Sequence, residues 1–585
     1  MTKFTNHQLS SQHALERRIL RWTGLGITFI CLFTSATVMA ACAEFTSESA
    51  RETARGSVFI DDNRNGEREP AEQGVSGVSL SNGCEVVQTD SEGRYQIAIS
   101  AGEILVISQP AGYKLPVDKN QLPQFYYRHY PLGTPQQIAG TSVAWQWGVT
   151  EPTGPLPASI DFALLPDDST ANDFKMHAFA DPQARYELSQ DMVREELINT
   201  LIGNPYGAQF GLTVGDVMND NLALYQRHKE MMGLIDIPQW YLPGNHDINF
   251  ESPTSGWANE TYKSHFGPTY YSFNYGNVHF IALNNVDYAG AGKSFANGRY
   301  RGRLSEDQLY WLERDLANIE NTRFIVLASH IPFITEAQDS SGEEPATGPY
   351  TENFDQLLEI LEPFSHLYAM AGHDTSSSWK VEINHSHGWQ GDPWLAHTLA
   401  EVRGNGWTRG QKDERGVRDA MMQDGNPNGF YLMRFSATEV VPEFIPFPSG
   451  IDGGRRLRAS LDPELSLPKG ALGEVSINRG LLAPGTQLVV NLFDGGARDS
   501  VTASLDGGVA LPMSYRVRTD PLAEKLFAQH LGTDSETGRP SRSSHIWQLP
   551  LPTDLAAGLH RVVIETKDEF GQANRLGFSF EVLSE

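Results

Sequence analysis

The chain has 585 residues, 40% of them apolar and 10% aromatic, and a net charge of −27 at pH 7. That length is too great for one hydrophobic core and suggests three or four domains, while the apolar content excludes wholesale disorder. After the first 25 residues no Lys/Arg cluster is long enough to follow a phosphate backbone, so no nucleic-acid partner is expected.

Residues 1–43 read as a targeting segment, a signal peptide or lipoprotein signal. Arg17, Arg18 and Arg21 precede the apolar run TGLGITFICLFTSATVMAA, and small residues follow. The lead carries Lys3 and those three arginines against Glu16, so its removal takes the charge from −27 to −30. VMAAC, ending at Cys42, resembles the lipobox of bacterial lipoproteins with Met39 in place of Leu. Acylation of Cys42 would attach the protein to a membrane. Ordinary cleavage near Ala41 or Ala43, an uncleaved anchor, and a twin-arginine type of export through Arg17-Arg18 stay open. Each processed form leads out of the cytoplasm, to the periplasm or cell envelope. Cys31, Cys42 and Cys84 are the only cysteines, so an intramolecular disulfide in the mature chain requires Cys42 to remain and pair with Cys84.

From residue 55 to about 130, short β-type runs (SVFI, VSGVSL, EVVQT, GRYQIAI, EILVIS) alternate with Gly, Asn and Asp turns and predict a β-sandwich. Within it, DDNRNGEREPAE places Asp61, Asn63, Asn65, Gly66 and Glu72 at the spacing of a calcium loop. The loop follows a strand, which excludes an EF-hand. It is either a structural Ca²⁺ site or an Asn/Gly turn that needs a positive φ. GVSGVSLSNG lacks the strand-loop-helix setting of a phosphate loop. Residues 131–171, rich in Pro, Gln and Gly, read as a linker.

From 172 to about 400 strand-like and helix-like segments alternate, predicting a layered α/β domain. Its helical segments include YELSQDMVREELINTLIG, NLALYQRHKEMMGLI and LSEDQLYWLERDLANI. In the last, Ser305 and Gln308 suggest a capping box, and Leu309, Leu312, Leu316 and Ile319 recur at helical spacing. Residues 401–585 read as irregular and then β-rich, a second β-sandwich.

Six strand-like segments of the middle domain end in polar groups: Asp181, Asp216, Asn245-His246, Asn284, His330 and His373. Carboxyl ends of strands in layered α/β domains converge on one crevice. Oxygen donors mixed with imidazoles suit divalent metals better than a Ser-His-Asp triad. Taken singly, each has a structural reading: His330 and His373 as core histidines, Asp181 as a turn carboxylate before Pro182, Asp216 as a helix cap.

Together, DPQ (181–183), GDVMND (215–220), GNHD (244–247), SH (329–330) and GH (372–373) resemble the ordered motifs of the calcineurin-like metallophosphoesterases. The flanks resemble the extra domains of an exported bacterial branch. The resemblance implies a four-layer α/β metallophosphoesterase core between an N-terminal and a C-terminal β-sandwich. It implies two divalent cations, Mn²⁺ or another transition metal, that activate water for attack on a phosphate ester. By the same resemblance Asp181 and Gln183 hold the first cation, Asn245, His330 and His373 the second, and Asp216 bridges both. His246 is then the general acid, with Asp247 expected to orient it. Asn219 stands where purple acid phosphatases have tyrosine, GNHD stands where they have GNHE, and Gln183 stands where calcineurin-type protein phosphatases have histidine. A non-catalytic or single-metal descendant and a diesterase for lipid or nucleotide substrates are the alternatives. Loops 250–270 and 288–303 are expected to set specificity.

One departure concerns AGHDTSSSW. The family pattern there is Gly-His-X-His, and this chain has Thr375 for the second histidine. The Asp181 cation therefore lacks its expected imidazole and is predicted to be weakly held, unless another histidine such as His397 fills the place. His177, His279, His385 and His387 are expected to be structural or solvent-facing.

Overall fold

The computed structural model describes residues 51–167, 172–296, 298–335, 348–403, 405–448, 451–462, 475–478 and 485–583. The expected signal segment, Cys31 and Cys42 lie outside them.

Two sheets form the centre. One has the strand order Gln239–Leu242, Phe210–Val214, Asp173–Phe179, Gly429–Ser436, Glu439–Pro446. The first three are parallel, and the last two form an antiparallel hairpin on their edge. The other has the order Tyr271–Tyr275, Val278–Leu283, Phe324–Ser329, His366–Ala371, Trp394–Thr398, Trp379–Ile383, with its four inner strands parallel. Strands buried on both faces read as continuous apolar runs, which is why FIVLAS and HLYAMA show no alternation.

The inner faces meet through large side chains. Trp240 stacks on Phe273 at 4.1 Å between centroids, and Phe174 meets Tyr275 at 4.7 Å. Helices Glu187–Val193 and Tyr225–Gly233 cover the outside of the first sheet with Met192, Val193, Tyr225 and Met232. Helices Glu306–Leu316 and Phe354–Leu361 cover the second with Leu309, Leu312, Leu316, Leu357 and Leu361. The result is the four-layer α/β core expected from the sequence. Ser305 caps its helix by accepting from the Gln308 N–H at 3.2 Å. The Gln308 side chain does not complete a capping box; it grips the backbone of Asn284 instead, accepting from its N–H at 2.8 Å and donating to its carbonyl at 2.7 Å.

Two sandwiches flank the core. The N-terminal one pairs a four-stranded sheet containing Glu52–Ile60 with another containing Ile104–Ile107. Phe162–Pro166, inside the expected linker, is a strand of that first sheet, parallel to Glu52–Ile60. The C-terminal one has sheets of four and five strands around Leu488, Val490, Trp547, Ile564 and Phe580. The expected core boundary at residue 400 falls short of the sheet: Gly429–Pro446 completes it, because Asp173–Phe179 would otherwise be an unpaired edge.

Candidate metal centre

The motif residues stand at the carboxyl ends of Asp173–Phe179, Phe210–Val214, Gln239–Leu242, Phe324–Ser329 and His366–Ala371. Each chain must turn sharply there to aim a side chain across the gap between sheets. Asp181 (φ 48°), Gln183 (41°), Asp216 (46°), Asp220 (60°) and His373 (72°) are all left-handed. Such backbone costs of order 1–3 kcal/mol per residue and is retained where surrounding structure enforces it. Three motif glycines allow the side chains to crowd. A Cβ at Gly215 would lie 2.4 Å from His330 Nδ1, at Gly244 2.1 Å from Asp216 Oδ1, and at Gly372 2.3 Å from Asp181 Oδ2.

Three donor groups converge on a fourth, His330 Nε2: Asn245 Oδ1 at 3.0 Å, Asp216 Oδ1 at 3.2 Å and His373 Nδ1 at 3.2 Å. His330 Nδ1 meets the carbonyl of Val214 at 3.0 Å, which fixes the ring and leaves Nε2 facing inward. On the other side Asp181, Asp216 and His330 offer ligand atoms all within 4.8 Å of one another. Both halves thus present buried donors facing donors, an arrangement that fits divalent cations. The Gln183 amide turns its nitrogen toward Asp181, at 3.5 Å, and toward Asp216, while its oxygen accepts from Asn219 Nδ2 at 3.1 Å. It would have to rotate to offer oxygen to a cation.

The electrostatics agree. Burial pushes the Asp181 carboxyl up to about 7, with His330 opposing and Asp216 adding repulsion. Burial also disfavours charge on Asp216, but His330 and His246 outweigh it and hold this acid well below the carboxylate range. His330 is pushed up to about 9 because Asp216 and Asp181 overcome its burial, whereas burial and His330 drive His373 down to about 3. Acids and imidazoles forced to share protons in this way would be relieved by a divalent cation.

His246 lies at the rim. Its N–H donates to Asp216 Oδ1 at 2.8 Å, and its Nδ1 pairs with Asp220 Oδ1 at 2.8 Å. Burial works against its charge, but Asp216 and Asp220 raise its pKa above the usual imidazole value. The expected partner, Asp247, is elsewhere. Its buried carboxylate accepts from the N–H groups of Gly244 (2.8 Å), Val217 (3.1 Å) and Met218 (3.3 Å) and from the Tyr225 hydroxyl (2.7 Å). Asp247 therefore fastens the GNHD turn to the GDVMND turn, and Asp220 orients His246. Successive residues in a turn point apart, so adjacency in sequence misled. The acid four residues after Asp216 was the available signal.

Asn284 does not join the cluster; its amide contacts Asn259 and the N–H of Val286. His397 does not fill the place opposite Thr375 either. Both of its ring nitrogens are engaged, by Tyr368 Oη at 2.9 Å and Asp494 Oδ1 at 2.9 Å. His279 is structural, held between Asn274 and Asp315. Two tyrosines missed in the sequence flank His373, with ring centroids 6.0 Å (Tyr300) and 5.9 Å (Tyr350) from its own.

Far from this centre, in the N-terminal sandwich, Asp61 accepts from the N–H groups of Asn65 and Gly66 at 3.2 and 2.9 Å. Glu72 accepts from those of Asp62 and Glu69 at 3.1 and 3.0 Å. The amide oxygens of Asn63 and Asn65 also accept from N–H groups of the same loop.

The family model described as calcineurin-like phosphoesterase matches residues 177–377, and those for its N-terminal and C-terminal regions match 62–138 and 396–573. The chain belongs to the calcineurin-like phosphoesterases. As a member it is a metal-dependent phosphoester hydrolase, and the converging donors lie within the matched core. No curated protein matched the chain. Among solved structures, a purple acid phosphatase isolated from yellow lupin (Lupinus luteus) seeds is similar over 68% of this chain and 67% of its own, with 10% identity and a TM-score of 0.34.

Proposed function

We propose that this phosphoesterase acts in the cell envelope and hydrolyses small phosphate esters with two divalent cations. Asp216, Asn245, His330 and His373 would hold one, Asp181, Gln183 and Asp216 the other. A cation pair supplies Lewis acidity toward the phosphoryl oxygens and makes water a nucleophile at neutral pH. Asp216 would serve both cations, because a carboxylate has two oxygens to share and a neutral imidazole has one free nitrogen. His246, kept protonated by Asp216 and Asp220, gives its proton to the leaving oxygen. Asp247 locks the turn that carries both His246 and Asn245. The observation that carries the reading is the meeting of Asn245, Asp216 and His373 around His330 Nε2 within 3.2 Å.

The test is hydrolysis of nitrophenyl phosphate, an alkyl monoester and a diester by pure protein with Mn²⁺. Absence of turnover on all of them, with metal bound, would favour a ligand-binding descendant; preference for the diester would favour a diesterase. Export rests on the basic and apolar lead of residues 1–43, and lipid attachment on Cys42. Fractionation of cells making wild type and Cys42→Ser tests both: soluble wild-type protein starting near residue 44 would refute the lipid. A structural Ca²⁺ at Asp61, Asn63, Asn65 and Glu72 completes the proposal, supported by the spacing of those oxygens.

A further inference from the structure

Residues 399–402 run out of the Trp394–Thr398 strand and across the ends of two others. The Leu399 N–H donates to the Ala371 carbonyl at 2.8 Å, and the Val402 N–H to the Ala180 carbonyl at 2.8 Å. One of those ends leads into Gly372-His373-Asp374-Thr375, the other into Asp181. Glu401 is thereby carried between the two motifs whose cation lacks an imidazole.

Its environment is unusual for a carboxylate. Glu401 is 0% exposed, and neither Oε1 nor Oε2 has a hydrogen-bond partner among the described residues. Arg403, two residues on and 2% exposed, has Nε and Nη1 equally unpartnered. No hydrogen bond or ion pair joins the two. A charged group buried without a partner costs several kcal/mol, so folded chains seldom retain one that nothing satisfies. Burial disfavours the charge of Glu401, and the charged groups that act on it are Arg403, then Asp181, Asp216 and Asp374; the Leu399 and Val402 bonds place its backbone between the strand ends that lead into His373 and Asp181. Asp247, by contrast, is equally buried yet has four donors, and it needs no cation.

We infer that Glu401 provides the donor that Thr375 does not: its carboxylate helps to hold the cation of Asp181, Gln183 and Asp216. This rests on the proposed two-cation reading. Glu401 stands outside the 4.8 Å group of Asp181, Asp216 and His330, so it reaches the ion by a change of rotamer or through one water. An all-oxygen set of this kind selects a hard ion, Mn²⁺ or Mg²⁺, over Zn²⁺.

Glu401→Gln keeps the shape and removes the charge. Mn²⁺ titration by calorimetry, metal counting after dialysis, and melting of the metal-free protein are the readouts. Wild type should show one tight and one weaker site; Glu401→Gln should weaken only the second, by roughly 10–100-fold. The metal-free variant should melt no lower than wild type, because an unpaired buried charge has gone. Thr375→His added to Glu401→Gln should recover the weak site. Two sites unchanged in Glu401→Gln, or a variant that melts lower and loses both ions, would overturn the inference and leave the catalytic reading intact. Wild type that binds a single Mn²⁺ would overturn it too. Wild type that binds none and hydrolyses nothing would overturn the proposed function itself.

Discussion

The two halves of the centre share Asp216 but are built differently. One closes on His330 Nε2 with an amide oxygen and a second imidazole within 3.2 Å. The other offers carboxylates, an amide turned the wrong way, and Thr375 where an imidazole is expected. Imidazole nitrogens held by second partners, as His330 is by Val214, keep their geometry with or without an ion. Carboxylates crowded together repel one another until a cation arrives. The imidazole half should therefore be preformed and tight, and the carboxylate half should be assembled by its ion.

The largest effect should come from breaking what the halves share. Asp216→Asn removes the bridging charge, and neither half should retain metal after dialysis; turnover should fall to background with Mn²⁺ present. Retention of two equivalents would contradict the bridge. In wild type, brief chelation should empty only the carboxylate half, leaving one equivalent by mass spectrometry, and added Mn²⁺ should restore activity.

Next in size is His246→Ala, which removes a group belonging to neither half. Both ions should stay while turnover on an alkyl phosphate drops roughly 10²–10⁴-fold, the range for a positioned general acid. Full activity on that poor leaving group would refute the role.

Asp220→Asn should do less. It leaves His246 in place but takes away the carboxylate that orients it and favours its proton, so alkyl-phosphate turnover should fall roughly tenfold. Hydrolysis of nitrophenyl phosphate, whose leaving group needs no proton, should hardly change. An equal fall on both substrates would mean that Asp220 acts on the metal halves instead.

Asp220 also marks where sequence reading reached its limit. Strand ends could be read because buried parallel strands are apolar runs that stop at the first polar residue, and six such stops fell in order. A layered α/β domain could be read from helical periodicities such as Leu309, Leu312 and Leu316, whereas the number of layers was implied by the family resemblance. Which acid serves His246 could not be read, because it depends on where two turns point. Asp247 is a neighbour in sequence but faces the Gly244, Val217 and Met218 N–H groups. The role of Glu401 was equally hidden, since only the bonds of Leu399 and Val402 carry it between two motifs. The edge hairpin Gly429–Pro446 was missed because pairing at long range leaves no local signature.

The smallest effect should come from the Asp61 loop, which is the opposite of either half. In the centre, donors face donors; in the loop, Asp61 and Glu72 each already accept two N–H bonds from their own turn. Loss of the two at Asp61 should cost about 1–2 kcal/mol, a drop of a few degrees in melting temperature, without calcium. An ion in the loop can use only the lone pairs that remain, so calcium should add a small further rise to wild type and none to Asp61→Ala. Turnover should be the same in both proteins, since no catalytic ligand lies in that sandwich. An equal calcium response in Asp61→Ala and wild type would show that the loop is a self-sufficient turn, leaving the metals of this phosphoesterase to the core.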